Sequence, residues 1–397
     1  MTYLDPAGDQ ATLEALGMHI NTTNRTVHLP SITIELDFPL RLQGWTVRGI
    51  RRAAWNDGSV LKPSVNFTDP AGYGALVFCR SARVDLHDFV VDAEGQVETA
   101  LELNTSHGSH VARVTGARGT RACIAVRNCR GITALQCLAT GWNETGRIVT
   151  GTGWLVEQYD LAGTPQKPSQ NSFIHCSSFF CGGDGLQIVG DYNRWSGGKI
   201  EQCYPVDAQG DELPVRVTTT DLTATPADGT TVIYEEETSP GSWSTFTAPT
   251  GPGIGCHIRG GDAVQIEGVW FEGLGVDCVT VEGRYHTINK CMVQSPDTNN
   301  SRTVRVLGGW RTSVVRCTMG TGTSNRVAVH RGDIADPPAS AHLQRYGGSD
   351  LQYPFVGSST SGDEQHGNHH VVAFCSTHST SSVAGPGVEV DGVEVPQ

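Results

Sequence analysis

The sequence is poor in charge, and positive charge is scarcer than negative charge. Only 17% of its 397 residues are Asp, Glu, Lys or Arg, and the formal net charge is −13. Because nucleic-acid binding requires a basic face that neutralises phosphates, this balance argues against DNA or RNA as the main partner. No apolar run approaches the roughly 18–20 residues that span a bilayer, so no membrane insertion is expected.

The sequence also lacks the short motifs that mark many enzymes and exported proteins. The start, MTYLDPAGDQ, has no basic segment followed by an apolar stretch, so we expect no signal peptide. No P-loop, GxGxxG or GxSxG stands in a suitable strand–helix context. The twelve cysteines include no CxxC pair and no finger-like Cys/His spacing.

Two histidine clusters, HGSH (107–110) and HGNHH (366–370), have no acidic or cysteine partner at ligand spacing. They therefore favour solvated loops over a metal site. We expect neither a metal nor a cofactor.

A four-residue block with apolar side chains at its second and fourth places is the most informative pattern that is present. It recurs at steps of 23 to 32 residues, apart from one step of 70. A short strand with its apolar pair facing inward accounts for each copy. The blocks begin at Ala75, Ala100, Cys123, Gly153, Gly185, Gly255, Cys278, Thr303 and Arg326.

The residues between the apolar pairs of these blocks are expected to face water. Among them are Glu102, Gln187, Thr280 and Arg305.

A second strand follows most blocks, and a cysteine ends several of these segments. Cys137, Cys291 and Cys317 come 14, 13 and 14 residues after the start of their blocks, which is one structural position. Coils of 23–25 residues, with two or three short strands and no helix, describe a parallel β-helix whose coils stack about 4.8 Å apart. The cysteines are then best interpreted as small apolar interior residues, with disulfides and metal ligation as the alternatives.

The parts that do not repeat divide the chain further. DQATLEALGM (9–18) predicts a short amphipathic helix that caps the open first coil, whose edge would otherwise invite aggregation. Alternation around the turn signal PADG predicts a β-hairpin that projects from the shaft. The predicted organisation is a cap at 1–20, β-helix at 21–212, a hairpin insertion at 213–250, β-helix at 251–335, and an irregular tail for oligomerisation at 336–397.

The passage VHLPSITIELDFPLRLQGWTVRGI, continuing to GSVLKPS, resembles the opening of the pectate-lyase-like superfamily of right-handed parallel β-helices. The segment NSFIHCSSFFCGGDGLQIVG, with an N-x-x-I-x-C pattern followed by GGDGLQI, is similar to repeats of the same group. The resemblance implies an all-β, single-stranded right-handed parallel β-helix of about nine or more coils, and a bias towards binding or cutting glycans. The superfamily includes bacteriophage tailspikes and other virion spikes, usually trimeric, as well as secreted polysaccharide lyases and glycosidases.

The residues that carry the known activities of that superfamily are not found. The polygalacturonase set NTD, DD, GHG and RIK is absent, and so is a pectate-lyase calcium site with its arginine. No activity therefore follows from a motif, and fold alone does not fix function.

Acidic residues near the repeat turns are the candidates for catalysis. Glycoside hydrolysis uses two carboxyl groups, roughly 5–5.5 Å apart for retention and 6.5–9.5 Å for inversion. Asp184 and Asp191 flank one strand, and Glu272 and Asp277 lie together in FEGLGVD. Asp184 and Asp277 take the same place in coils two or three apart, roughly 10–15 Å, which is too far for a pair. Solvated turn carboxylates that cap backbone amides are the alternative.

Aromatic residues are the candidates for substrate binding. Tyr192, Tyr285 and Trp310 each follow the last apolar residue of their block by four residues, so they should lie on one edge of the β-helix. Rings that face outward suit sugar stacking, whereas rings that face inward would fill a turn. Trp195 and Trp270 are weaker additions to the set.

The resemblance, together with the expected absence of a signal peptide and the acidic, Gly-rich shaft, favours a virion-associated spike that binds host cell-surface polysaccharide and could also cleave it. Such a spike would be a homotrimer located in the virion, and a virion adaptor or baseplate protein would attach it. The alternatives are a free bacterial polysaccharide lyase or glycoside hydrolase, and a non-catalytic structural scaffold. Whether the protein is an enzyme stays open; an enzyme of this kind would be a polysaccharide depolymerase.

Overall fold

The computed structural model is almost entirely β-strand. In the part of the chain that it describes, Gln10–Ala15 is the one helix, and no helix there is long and apolar enough to cross a membrane. The described residues are 2–51, 58–142, 151–158, 167–207, 209–219, 232–293, 304–306, 312–315, 317–319, 327–329, 355–357, 371–373, 376–377, 389–390 and 393–394.

Three long sheets, named A, B and C here, form the body of the protein. Each coil adds one strand to sheet A, one to sheet B and one to sheet C, after which the next coil repeats the order. The strands within each sheet are parallel, except that His19–Asn21 and Thr26–His28 at the start of sheet B are antiparallel. This is the predicted parallel β-helix, and crossovers between parallel strands are right-handed in nearly all proteins.

The strands have these bounds among the described residues. Sheet A contains Leu40–Arg41, Ala75–Arg80, Thr99–Asn104, Ala122–Arg127, Thr152–Glu157, Leu186–Ile188, Cys256–Asp262, Val279–Arg284, Val304–Val306, Val327–Val329 and Phe355–Gly357. Sheet B contains His19–Asn21, Thr26–His28, Thr46–Arg48, Asp85–His87, His110–Ala112, Thr133–Leu135, Ser172–Ile174, Arg194–Ser196, Gln265–Glu267, Thr287–Asn289, Ser313–Val315 and Val371–Ala373. Sheet C contains Thr33–Leu36, Val60–Pro63, Val90–Asp92, Thr115–Ala117, Leu138–Thr140, Ser177–Phe179, Lys199–Glu201, Trp270–Glu272, Met292–Val293, Thr318–Met319 and Ser376–Thr377.

All nine repeat blocks overlap strands of sheet A, which confirms that each block is one coil of the β-helix. The register runs through the second residue of the blocks, so that Leu101 pairs with Ile124 and Ile124 with Trp154. The first block is shifted by one residue. Val77, rather than Leu76, lies opposite Leu101, and Phe78 faces outward.

The side chains between the inward pairs do not face water, and the expectation that they would was wrong. Glu102, Gln187, Thr280 and Arg305 point away from the core but are buried. Ion pairs between coils cover part of this face, since Glu102 is held between Arg80 and Arg127. Charged residues here are buried because they are paired.

The cysteines belong to the core. All eleven cysteines in the described part are buried, and none forms a disulfide. Cys137, Cys291 and Cys317 each lie two residues beyond a strand of sheet B, which is the shared position that the sequence predicted. Their sulfurs contact backbone carbonyl oxygens of the preceding coil, for example Cys137 Sγ and Val111 O at 3.4 Å.

We expect the thiols of Cys137, Cys291 and Cys317 to resist labelling in the native protein, because each is only 1% exposed. A maleimide or Ellman's-type reagent should react with them only after denaturant is added. The measurement is mass spectrometry of the labelled peptides with and without denaturant. Labelling of these positions within minutes in the native state would contradict the coil register, because a one-residue slip turns every side chain outward.

A separate antiparallel sheet interrupts the β-helix between the coils that carry Leu186–Ile188 and Cys256–Asp262. The predicted hairpin is present as Val215–Thr219 and Val232–Ser239, and a third strand, Ser242–Thr245, joins it. It packs against the β-helix through a small apolar cluster that consists of Val215, Ile254 and Val276, with Tyr234 and Phe246 packed on it.

Part of the region that was predicted as an irregular tail continues the β-helix. Phe355–Gly357 extends sheet A, Val371–Ala373 extends sheet B and Ser376–Thr377 extends sheet C, each in parallel register. Glu389–Val390 and Val393–Glu394 pair separately as a two-stranded sheet. The domain boundaries stay a prediction.

Candidate functional site

The outer face of sheet A carries a group of polar side chains that we name the Asp184 cluster: Asp184, Gln187, His257 and Glu282. Asp184 lies two residues before the strand Leu186–Ile188, His257 lies on the next strand of sheet A, and Glu282 lies on the strand after that. Gln187 is directly opposite His257 in the register. Stacking of three coils therefore brings together residues that are up to 98 positions apart in the sequence.

Asp184 is fully buried, and both of its carboxylate oxygens accept hydrogen bonds. Oδ1 accepts from the backbone N–H groups of Gly253 (3.0 Å) and Ile254 (2.7 Å). Oδ2 accepts from Gln187 Nε2 (3.0 Å) and lies 3.1 Å from His257 Nδ1. Asp184 is thus an anchor that fixes its neighbours, and its burial keeps it from contacting a substrate directly.

The loop that covers Asp184 requires glycine. Gly251 has a φ of +86°, and a Cβ at this position would lie 2.1 Å from Asp184 Oδ2. Only glycine tolerates both the conformation and the close approach. The TGPG segment at the end of the insertion therefore belongs to the architecture of this site.

His257 is the group in the cluster that is suited to exchange a proton. Its Nδ1 faces Asp184, and its Nε2 lies 3.9 Å from Glu282 Oε1 on the exposed side. Burial alone would lower the pKa of His257, but hydrogen bonds and attraction to Asp184 and Glu282 outweigh it, so the pKa is raised above 6.5. A histidine held this way can act as a general acid or base near neutral pH.

Asp277 occupies the position of Asp184 two coils further along, with Ile254 between them. Its Oδ2 accepts hydrogen bonds from Arg305 Nε (2.5 Å) and from Tyr234 Oη (2.9 Å) of the insertion. Burial raises the pKa of Tyr234 well above its ordinary value, which keeps it a hydrogen-bond donor. Asp277 thereby joins two coils and the insertion, and it is buried away from any ligand.

The other two predicted catalytic carboxylates lie elsewhere. Asp191 is in the turn between sheets A and B, where its Oδ1 accepts a hydrogen bond from the backbone N–H of Asp262 (3.0 Å). Glu272 is on sheet C, where its carboxylate lies 2.8 Å from Lys199 Nζ. Lys199 also binds Glu201 at 2.8 Å. The four predicted carboxylates therefore lie in three separate environments.

Tyr192 and Tyr285 are exposed at one turn position. Each lies two residues before a strand of sheet B, with φ values of +55° and +59°, and Ala263 takes this position in the coil between them. The tyrosines are 62% and 42% exposed. Two coils correspond to about 10 Å along the β-helix axis.

The remaining predicted aromatic residues do not join this pair. Trp195 is fully buried, stacked on Phe173 and packed edge-on against Trp154, so its ring cannot contact a surface ligand. Trp270 is 43% exposed, but it lies on sheet C, with Lys199 Nζ 4.5 Å from its ring. Trp310 lies outside the described residues.

The sequence reasoning missed His257 and Glu282. His257 is the third residue of the block GCHI and aligns with Gln187 of the block GLQI. Aligning these two blocks across the long step of 70 residues places His257 one coil from Asp184 and Gln187. Pairs of carboxylates do not reveal this site, because its second titratable group is an imidazole.

Comparisons with known proteins support the fold. No protein-family model matches this chain, and no curated protein matches it. The catalytic domain of a GH87 α-1,3-glucanase, solved in complex with tetrasaccharides, is similar at a TM-score of 0.52 and 8% identity, with 98% of this chain and 68% of that chain covered.

Two viral structures are also similar. ORF18 of Geobacillus virus E2 has a TM-score of 0.50 and 11% identity over 83% of this chain, which spans 58% of that protein. A full-length tailspike protein of a bacteriophage of Escherichia coli O157:H7 has a TM-score of 0.43 and 10% identity over 93% of this chain and 43% of that one.

At these identities the similarity concerns the fold alone. The chain has a right-handed parallel β-helix fold, as its sequence predicted.

Proposed function

We propose that this protein binds a polysaccharide along the turn between sheets A and B and the adjoining ends of the sheet A strands, as part of a virion spike. The observation that carries the proposal is the pair of exposed rings, Tyr192 and Tyr285, at one turn position two coils apart. Tyr285 lies three residues beyond Glu282, so the rings adjoin the Asp184 cluster. Two flat rings about 10 Å apart along the axis suit an extended chain of sugars.

The similar structures support this proposal at the level of the fold. One of them is from a virus, and another is a glucanase catalytic domain with bound tetrasaccharides. Attachment to a particle through an adaptor or baseplate protein, and assembly into a homotrimer, stay predictions.

Cleavage of the polysaccharide is a second candidate activity, and the geometry of His257 favours it. In this proposal His257 transfers a proton through Nε2, Asp184 holds the imidazole from its Nδ1 side, and Glu282 is the exposed carboxylate beside it. In this proposal Asp184, which the sequence suggested as a catalytic carboxylate, is a positioning residue, and His257 is the group that reacts.

Removing both rings by the double substitution Tyr192→Ala and Tyr285→Ala should weaken binding roughly 10- to 100-fold. An aromatic pair is worth about 0.5–1.5 kcal/mol beyond its buried area. If a ring stacked on a sugar contributes about as much, the two rings give about 1–3 kcal/mol, and 1.4 kcal/mol corresponds to tenfold. The measurement is a glycan array to find the ligand, followed by surface plasmon resonance on it. Trp270→Ala is the matched control, since it removes an exposed ring from sheet C and should leave binding unchanged.

The same ligand tests cleavage with His257→Gln, which should bind normally but release no oligosaccharide if the wild type releases any.

Undiminished binding by a folded protein that lacks Tyr192 and Tyr285 would contradict the proposed surface. The rings would then be turn packing only.

A further inference from the structure

Three side chains of the types that bind metals converge on the outer face of sheet B, apart from the Asp184 cluster. His87 Nε2 lies 2.7 Å from Asp85 Oδ1, and His110 Nδ1 lies 3.1 Å from the same oxygen. The candidate ligand atoms all lie within 4.8 Å of one another. Each side chain is partly exposed, so an ion can reach them from solvent.

The β-helix itself fixes this arrangement. Asp85 and His87 are two residues apart on one strand and thus share a face. His110 begins the strand of the next coil, directly opposite Asp85, and Ala112 lies opposite His87. Ala112 adds no charge or polar atom, and ligands on sheet strands are held more rigidly than ligands on loops.

The charges around the three residues leave room for a cation. Arg113 lies nearby, but its guanidinium makes two hydrogen bonds to the Asp88 carboxylate, at 2.6 and 2.7 Å. Arg48, opposite His87 on the preceding coil, is exposed. Arg113 is therefore paired with Asp88, and Arg48 is solvated.

We propose that Asp85, His87 and His110 form a binding site for a divalent first-row transition-metal ion such as Zn²⁺. Two imidazoles and a carboxylate are ligands that Zn²⁺ takes at about 2.0–2.2 Å, which puts tetrahedral ligand atoms about 3.3 Å apart. The two contacts with Asp85 Oδ1 would open by about 0.6 and 0.2 Å, as the ion replaces the protons shared between the imidazoles and Asp85. The ligand nitrogens of His87 and His110, which lie within 4.8 Å of each other, would adjust to the same spacing.

The ion would have three protein ligands and one position open to water or another ligand. It would also cross-link two neighbouring coils near the N-terminal end of the β-helix. The sequence analysis interpreted HGSH as a solvated loop because it has no acidic partner at ligand spacing, whereas the acidic residue comes from the preceding coil, 25 residues before His110.

The test is calorimetric titration of the EDTA-treated, dialysed full chain with ZnCl₂. We expect a site of one Zn²⁺ per chain that His110→Gln weakens at least tenfold, and a melting temperature that rises with Zn²⁺ in the wild type but not in the variant. His107→Gln is the matched control, because His107 lies in the turn just before the strand of His110 and outside the triad, and this variant should bind Zn²⁺ like the wild type.

Two outcomes would overturn the proposal. One is a wild-type chain that takes up no Zn²⁺ at micromolar concentration. The other is a double variant, His87→Gln with His110→Gln, that binds Zn²⁺ as tightly as the wild type, because the ion would then be held elsewhere. Equal melting temperatures of variant and wild type in EDTA show that the variants fold.

Discussion

Replacing Asp277 by asparagine should lower the free energy of unfolding by about 3–5 kcal/mol, because it leaves the Arg305 guanidinium buried without its carboxylate. The side chains of Asp277 and Arg305 are 0% and 1% exposed, and they make two hydrogen bonds, at 2.5 and 3.0 Å. The pair joins neighbouring coils, and Tyr234 ties it to the insertion. The measurement is urea denaturation followed by circular dichroism.

Two controls separate a buried charge from a lost contact. The double substitution Asp277→Leu and Arg305→Met should be markedly less destabilising than Asp277→Asn, because it removes both charges and leaves apolar groups of similar size. Glu267→Gln, which breaks the exposed pair of Arg194 with Glu267 (2.8 Å), should cost less than about 1 kcal/mol. A loss as small as this for Asp277→Asn would contradict the assignment.

We expect Asp277 to be a structural residue rather than a catalytic one. Its carboxylate is buried and occupied by Arg305 and Tyr234, so we expect its removal to act through stability. A folded Asp277 variant under native conditions should keep its affinity for the polysaccharide. Loss of binding would then point to a disturbed sheet A face rather than to lost chemistry.

The fold could be predicted from the sequence because a β-helix is a local structure repeated many times. The alternation of apolar and polar residues within one block is enough to predict a strand. Because the coils stack, equivalent positions of successive blocks lie next to each other. The cysteine position at Cys137, Cys291 and Cys317 followed from counting alone. The counting failed where a block slipped by one residue, as it did at Val77, and where the repeat faded before the coil that contains Phe355–Gly357.

The candidate site was harder to predict because it depends on contacts between coils. The partner of Asp184 is His257, 73 residues away across the insertion, and no short motif spans that distance. The burial of single side chains could not be predicted either. Trp195 and Tyr192 are close in the sequence, but Trp195 lies in the core and Tyr192 on the surface. Alternation along a strand settles such cases only once the register of the coil is known.

We expect the stability of the protein in acid to depend on His286. This histidine is fully buried; its Nδ1 accepts a hydrogen bond from the backbone N–H of Val264 (3.2 Å), and its Nε2 donates to Glu282 O (2.9 Å). A second proton would have to sit on Nδ1, where it would face the Val264 N–H. Burial lowers the pKa of His286 to about 4, although Asp262 and Asp191 act in the opposite direction.

Acidification should therefore weaken the fold well above the range in which carboxylates titrate. Below a pH of about 6.5 the unfolded chain takes up a proton at His286, whereas the native chain resists protonation until about pH 4. The unfolded state binds more protons throughout this window, so stability falls as the pH falls through it. At about 1.4 kcal/mol per pKa unit, the contribution of His286 is about 3 kcal/mol.

The measurement is the urea midpoint of the wild type and of His286→Gln between pH 7.5 and pH 4. Glutamine keeps a hydrogen-bond acceptor and a donor but does not titrate. The free energy of unfolding of the variant should therefore fall by about 3 kcal/mol less than that of the wild type over this pH range. His257 does not imitate this effect, because its pKa is raised: its contribution to stability is present below about pH 6.5 and is lost as the pH rises through that raised pKa. Parallel pH profiles for the two proteins would mean that His286 takes up its proton in the native state as readily as in the unfolded chain.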